Sequence, residues 1–353
     1  MNRTTALLAA ACAALLAACG ESVDDVETQA PAAQAPAAPA AAAPAPAAEA
    51  TSSRRQVGEA QVTTILDGRG QFPAAELFAG ITPQEAGQLL QAGGELAGTL
   101  QAPAWHATVQ GFVVDVGGQR VLIDTGTGGA MMPETSGRLP ANLAAAGITP
   151  ESIQHIVISH FHGDHLGGVL AQGRARYPNA TLHVNAAELS HWRAQKEGDA
   201  GALARQVAEA YGDKLKTFRS GEIVPGLAAE PATGHTPGHT VYRLTSGGQQ
   251  MIFVGDLIHS VAIQTPRPQV TLNFDSDQNA ARSARLAFLQ RHAGQNVLFA
   301  GPHFPFPGIG RIEKAGEAYR YVPVAPGAAA APAQAGAAQA GAAAPAAAAA
   351  PAG

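Results

Sequence analysis

The sequence predicts an α/β domain of alternating sheet and helix layers, on three observations. Apolar runs of four or five residues alternate with helical periodicity between about residues 112 and 300. Several runs close on a glycine and then an acidic residue or a histidine, as in Phe253-Val254-Gly255-Asp256. Both ends of the chain, by contrast, are rich in Ala, Pro and Gly and show no such pattern.

In chain order, Phe112 to Val116 and Arg120 to Asp124 read as strands joined by a turn at Gly117-Gly118. Leu139 to Ala146 reads as a helix stopped by Gly147. Strands follow at His155 to Ser159 and Thr181 to Asn185, then helices around Ala186 to Lys196 and Ala200 to Tyr211. Thr240 to Leu244, Met251 to Val254 and Asn296 to Ala300 are the remaining strands, with a helix over Gln278 to His292 before the last.

A chain of 353 residues has room for two average domains, but the low-complexity ends leave one, over residues 54–324. Residues 1–18 read as a secretory signal: Arg3, an apolar stretch from Ala6 to Ala18, and small residues before Cys19. The run Leu16-Ala17-Ala18-Cys19-Gly20 resembles a bacterial lipobox, which makes Cys19 the expected lipid anchor and the cell envelope the expected location. Residues 19–53, with their Ala-Pro repeats, read as a semi-extended tether, and residues 325–353 as a second tail of that kind. Cys12 lies inside the signal, so Cys19 is left without an intramolecular disulfide partner. A net charge of −5 without a long Lys/Arg block argues against nucleic acid and against polyanionic substrates. A small molecule is the expected partner; the oligomeric state is open, with a homodimer among the options.

The densest chemistry is His160-Phe161-His162-Gly163-Asp164-His165, directly after a strand. Imidazole and carboxylate suit zinc and similar divalent metals, and ligand pairs offset by a few residues serve two ions. Alternate residues of an extended segment project the same way, so His160 and His162 can close on one ion. Asp164 and His165 fall on the following turn, placed for a second. In Thr233-Gly234-His235-Thr236-Pro237-Gly238-His239-Thr240, Pro and Gly prevent a helix, so the two His do not share a face and one of them is the expected ligand. His239, adjacent to the strand at Thr240, is the expected one; the reverse assignment to His235 is the alternative.

Asp256 ends a buried strand, an unfavourable place for a charge unless it is paired or coordinated, and a carboxylate can bridge two cations. His303, just beyond another apolar strand, can complete a second site. Asp124 is expected to accept an N–H from a ligand His and orient it. His259, three residues after Asp256, is a candidate pocket residue, and Trp192, Phe304 and Phe306 are candidates for an apolar wall.

Together, the strand ending at Asp124, the HxHxDH run, His239, Asp256 and His303 resemble the five-part signature of the metallo-β-lactamase fold over roughly Val57 to Val324. Thr236 to Thr240, Gly255 to His259 and Gly301 to Gly310 resemble the branch that includes methyl parathion hydrolase, although Gly163 stands where organophosphate-hydrolysing relatives carry Pro. The resemblance implies an αββα sandwich with the metals at one edge of the paired sheets. It implies His160, His162 and His239 on the first metal, Asp164, His165 and His303 on the second, and Asp256 between them. True β-lactamases of the fold usually lack that bridging Asp.

The expected activity is dinuclear, zinc-dependent hydrolysis of a neutral ester, lactone or phosphotriester by a shared hydroxide, with Asp164 or Asp256 moving the proton. The competing readings are a glyoxalase-type thioester hydrolase or an iron-dependent dioxygenase on the same fold, and a metal-stabilised envelope lipoprotein without turnover.

Overall fold

The computed structural model describes residues 50–325. The signal 1–18, nearly all of the tether 19–53 and all but the first residue of the tail 325–353 lie outside the described residues. The first strand starts at Ser52, inside the stretch assigned to the tether.

Two sheets carry the fold. The first runs β1 (Ser52–Val57), β2 (Ala60–Pro73), β3 (Pro103–Val116), β4 (Gln119–Ile123), β5 (His155–Val157), β6 (Thr181–Asn185) and β7 (Leu215–Phe218) in spatial order, with Leu96–Gly98 also paired to β3. It is antiparallel from β1 to β4 and parallel from β4 to β7. The second runs β8 (Gly221–Val224), β9 (Leu227–Pro231), β10 (Thr240–Ser246), β11 (Gln249–Phe253), β12 (Leu298–Ala300), β13 (Ile309–Ala315) and β14 (Ala318–Pro323). Only its β11–β12 pair is parallel. Gly117 and Gly118 make the β3–β4 turn with φ of 56° and 76°, as a two-residue hairpin requires.

Helices α1 (Pro83–Gly93), α2 (Leu139–Ala145), α3 (Ala186–Ala194), α4 (Asp199–Tyr211) and α5 (Gln278–His292) connect the strands. Val62, Phe112, Val114, Val121 and Ile123 of the first sheet pack with Leu227, Tyr242, Leu244, Met251 and Phe253 of the second in one buried cluster. Leu139 and Leu143 of α2, Leu189 of α3 and Val207 of α4 cover the other face of the first sheet around Leu122, Ile156 and Leu182. Phe288 and Leu289 of α5 cover the second sheet around Val241, Ile252 and Phe299. Alternating side chains explain the layering, because each central strand is apolar on both faces. The architecture is the αββα sandwich that the resemblance implied. Among the described residues no helix is long and apolar enough to cross a membrane.

A fourth cluster sits at one edge. Ala74, Leu77, Phe78, Leu90, Trp105, Ile263, Val270 and Leu272 tie the segment before β3 to the loops after β11. The parallel pairs β4–β5 and β11–β12 run their carboxyl ends to the loops bearing Asp124, His160, Asp256 and His303, the usual position for a site in layered α/β folds.

Candidate metal centre

His160, Asp256 and His303 each lie three residues past the end of β5, β11 and β12 respectively, at loop positions that aim back over the sheet edge. His162 is still extended, at φ −67° and ψ 154°, and Asp164 and His165 follow on the short helix Gly163–Leu166. The expected pairing of roles within this run is therefore set by a change from extended to helical backbone.

Two clusters converge. In the first, His235 Nε2 lies 3.2 Å from His160 Nε2 and 3.0 Å from His162 Nδ1, and these two nitrogens are 3.0 Å apart. In the second, His303 Nε2 lies 3.3 Å from His165 Nε2, and Asp164 Oδ2 is 3.5 Å from each. Asp256 lies between them: Oδ2 is 3.5 Å from His160 Nε2 and 3.3 Å from His235 Nε2, and Oδ1 is 3.2 Å from His165 Nε2 and 3.1 Å from His303 Nε2.

These donors fit divalent metal. Four ligands at zinc's usual distances of roughly 2.0–2.1 Å stand about 3.4 Å apart on a tetrahedron, close to the spacing within each cluster. Asp256 Oδ1 is buried without a hydrogen bond, although two imidazole nitrogens are near it. A metal ion held between that oxygen and those nitrogens would satisfy it.

The outer nitrogens are held. Asp124 Oδ2 is 2.9 Å from His165 Nδ1, Asp275 Oδ1 is 2.8 Å from His235 Nδ1, and the Thr108 carbonyl is 2.8 Å from His303 Nδ1. Each partner accepts the Nδ1 proton and turns Nε2 inward as an acceptor. Asp124 thus has the orienting role expected of it. Burial would push Asp256 up, but His165, His259, His303 and His160 hold its carboxyl well below the ordinary range. Burial brings His162 down to about 3. Burial also opposes charge on His235, yet hydrogen bonds to Asp256 and Asp275 raise it to about 9. Nearby carboxylates, Asp256 among them, raise His165 and His303 against their burial as well, so with the ionised carboxylates and neutral imidazoles that a metal needs, His165, His235 and His303 each give up a proton on binding one.

Beside the clusters opens a cavity of about 270 Å³. Phe72, Leu77, Trp105, Met131, Leu272 and Phe274 form its apolar walls, and His162, Asp164, His235, Asp256, His259 and His303 its polar floor. His259 is thus in the pocket, with Nε2 2.9 Å from Asp256 Oδ2 and its ring stacked on that of His303.

The metallo-β-lactamase superfamily model matches residues 107–301, more than half of the chain. The chain belongs to the metallo-β-lactamase superfamily. A "Probable metallo-hydrolase" of Mycobacterium tuberculosis (strain ATCC 25618 / H37Rv) is 24% identical to this superfamily member over 282 residues, 67% of this chain and 87% of that protein. The crystal structure of the hydrolase AbOPH, in the β-lactamase superfamily, matches with a TM-score of 0.72 at 29% identity, over 78% of this chain and 98% of that one. AidC, a dizinc quorum-quenching lactonase solved in complex with a product, has the same fold, with a TM-score of 0.70 at 24% identity over 78% of this chain and 99% of that one.

Of the expected ligands of this superfamily member, the structure brings together His160, His162, Asp164, His165, Asp256 and His303, but not His239. Both nitrogens of His239 are occupied: Nε2 accepts from the Asp256 N–H at 2.9 Å and Nδ1 donates to the Ala232 carbonyl at 3.0 Å. Its place is taken by His235, a correction whose reason is local. Next to its strand, the His239 ring is wedged between the Ala232 and Asp256 backbones and ties those two loops together, whereas His235, at the loop tip, is turned towards His160 and His162. The displacement of the other ligands beyond their strand ends was the available signal.

The aromatic wall is also corrected. Phe304 is fully buried against Tyr321, and Trp192 lies edge-on to His162 outside the cavity lining, so Phe72, Trp105 and Phe274 do the lining instead. Glu188 and Asp275, buried carboxylates around the centre, and Glu95, buried further off against Trp105 and Ser260, carried no sequence signal.

Proposed function

We propose that this metallo-hydrolase of the superfamily is dinuclear, uses zinc, and cleaves a neutral ester, lactone or phosphotriester with a substantial apolar portion. The observation behind this reading is that Asp256 turns one oxygen to each ligand cluster, next to a cavity with apolar walls. Two bound divalent ions supply a hydroxide at neutral pH and polarise the scissile carbonyl or phosphoryl group.

His160, His162 and His235 would hold the first ion and Asp164, His165 and His303 the second, with Asp256 shared. Asp164 is the carboxylate with an edge open to the cavity, 18% exposed against 4% for Asp256, and so is placed to relay a proton to the departing oxygen. Phe72, Trp105 and Phe274 take the apolar part of the substrate and keep water away from it. AidC, named as a lactonase, supports lactones within this class; the lining carries no Lys or Arg to pair with an anionic substrate. The lipobox-like run at Cys19 supports an envelope-tethered enzyme, and metabolic labelling with a fatty acid in wild type and Cys19→Ala would test it.

The test of the activity is metal content per chain, measured on the same sample as turnover of a lactone, an aryl ester, a phosphotriester, a thioester and a β-lactam. Two zinc ions with lactone, ester or phosphotriester turnover support the proposal. One iron per chain, or two metals without hydrolysis of any of them, overturns it.

A further inference from the structure

We infer that Glu188 is a positioning residue that sets the spacing of the first metal cluster by clamping both loops that supply its histidines. The inference rests on the metal-centre reading above. Glu188 is the third residue of α3, whose N-cap Asn185 accepts from the Ala187 N–H at 2.9 Å. At that position a glutamate ordinarily folds back on the N-cap. Here it turns away into the protein interior and is 1% exposed.

Its two oxygens go to different loops. Oε1 accepts from the Phe161 N–H at 2.9 Å, between His160 and His162, and from Trp192 Nε1 at 2.6 Å. Oε2 accepts from the Gly238 N–H at 2.8 Å, in the turn that follows His235. One carboxylate thus joins the backbones of the two segments bearing His160, His162 and His235, and it touches none of their rings. Trp192, held by the same oxygen, lies edge-on to His162 with ring centroids 5.7 Å apart, which restricts that imidazole from outside.

Gly238 shows how closely the second loop is drawn in. A Cβ on it would stand 2.4 Å from the Glu188 backbone nitrogen. The loop therefore rests on the first turn of α3 with no side chain between. Hydrogen bonds to a carboxylate are stronger than those to a neutral amide, and a buried one with every donor satisfied resists displacement. The second cluster has no such link to Glu188: His303 hangs from Thr108 and His165 from Asp124.

The consequence is site-selective. Glu188→Gln keeps an oxygen for Phe161 and Trp192 but presents an NH₂ to the Gly238 N–H, so the His235 loop is released. Zinc titration of the full chain against a competing chromophoric chelator reads this directly. The expected result is that one of the two zinc ions binds 10- to 100-fold more weakly, on the scale of lost outer partners, while the other binds as in wild type. The visible spectrum of the cobalt-loaded protein should change for the weakened site alone. Equal affinity at both sites, or the same loss at both, overturns the inference.

Should Glu188→Gln not fold, Gly238→Ala pushes the loop off α3 from the other side and carries the same expectation. A wild type that takes up only one zinc counts against the dinuclear proposal. The role of Glu188 is then read on that ion, and unchanged affinity in both variants overturns it.

Discussion

Asp275 grips His235 Nδ1 at 2.8 Å while its other oxygen accepts the Leu272 N–H at 2.8 Å, joining a histidine of the metal centre to the cavity wall. It is the counterpart, in the loop before α5, of Asp124 on His165. That bond fixes the tautomer of His235 and decides between the two histidines of the Thr233–Thr240 segment. His235→Ala should therefore lose about one zinc per chain and its turnover. His239→Ala should keep both metals but lose roughly 1–3 kcal/mol of stability, because the buried Asp256 N–H is left unpaired. Metal analysis with urea unfolding of the two variants separates them; the opposite pattern would restore His239 as the ligand.

Asp256→Ala removes the side chain that turns one oxygen to each cluster. Metal content should fall below one zinc per chain and turnover to background. Two zinc ions in this variant would refute the bridging assignment.

Asp124→Asn tests orientation at constant shape. Asp124 has φ 57°, a left-handed conformation that Asn tolerates, so the backbone should hold. The amide, however, offers its NH₂ to His165 Nδ1 and shifts the imidazole proton to Nε2, against the metal. Zinc affinity at one site should drop 10- to 100-fold. An unchanged binding isotherm would remove Asp124 from the metal's support.

Glu95 predicts a pH effect away from the metals. Burial lifts its carboxyl to about 7, against hydrogen bonds from Ser260, Ala262 and Trp105 that favour the charged form. The folded state thus binds more protons than the unfolded state between about 4.5 and 7. Its contribution is complete below about 4.5 and is lost as pH rises through about 7, on the order of 3 kcal/mol at most. In urea unfolding of chelated protein, wild type should lose stability relative to Glu95→Gln between pH 4.5 and pH 8; parallel curves would contradict the burial argument.

Phe274, 61% exposed at the cavity rim, buries little in the fold. Phe274→Asp should raise KM for apolar substrates about tenfold and leave unfolding within roughly 0.5 kcal/mol of wild type. Unchanged KM and kcat would mean that the rim does not contact substrate.

What the sequence revealed follows from the range of each signal. The strands at residues 155, 181, 240, 251 and 298 are short apolar runs beside a turn or a glycine, and the HxHxDH run fits in six residues, so both were legible locally. Of the long β2–β3 ribbon only Phe112 to Val116 was, because Gly68, Gly70 and Gly111 interrupt the apolar pattern of the rest. Those glycines serve distant contacts: a Cβ on Gly68 would stand 2.1 Å from the Thr135 carbonyl, and one on Gly111 2.8 Å from that of Asp124. Asp275 and Glu188 were silent for the same reason, since their partners at His235 and Gly238 lie 40 and 50 residues away. The choice between His235 and His239 failed where strand adjacency, a local cue, competed with loop geometry, which depends on the other sheet.

Phe72, Leu77 and Trp105 enter the cavity from a stretch that precedes residue 107, where the family match begins, whereas every proposed ligand except His303 lies within it. Part of the substrate-facing wall thus lies in a different stretch of the polypeptide from nearly all of the proposed ligands. Descendants could trade one leaving group for another by drift before residue 107, at little risk to the reactive centre. Leu77 and Trp105 are also buried in the fourth cluster, so a laboratory library confined to Phe72 would sample that freedom with the least cost to the fold.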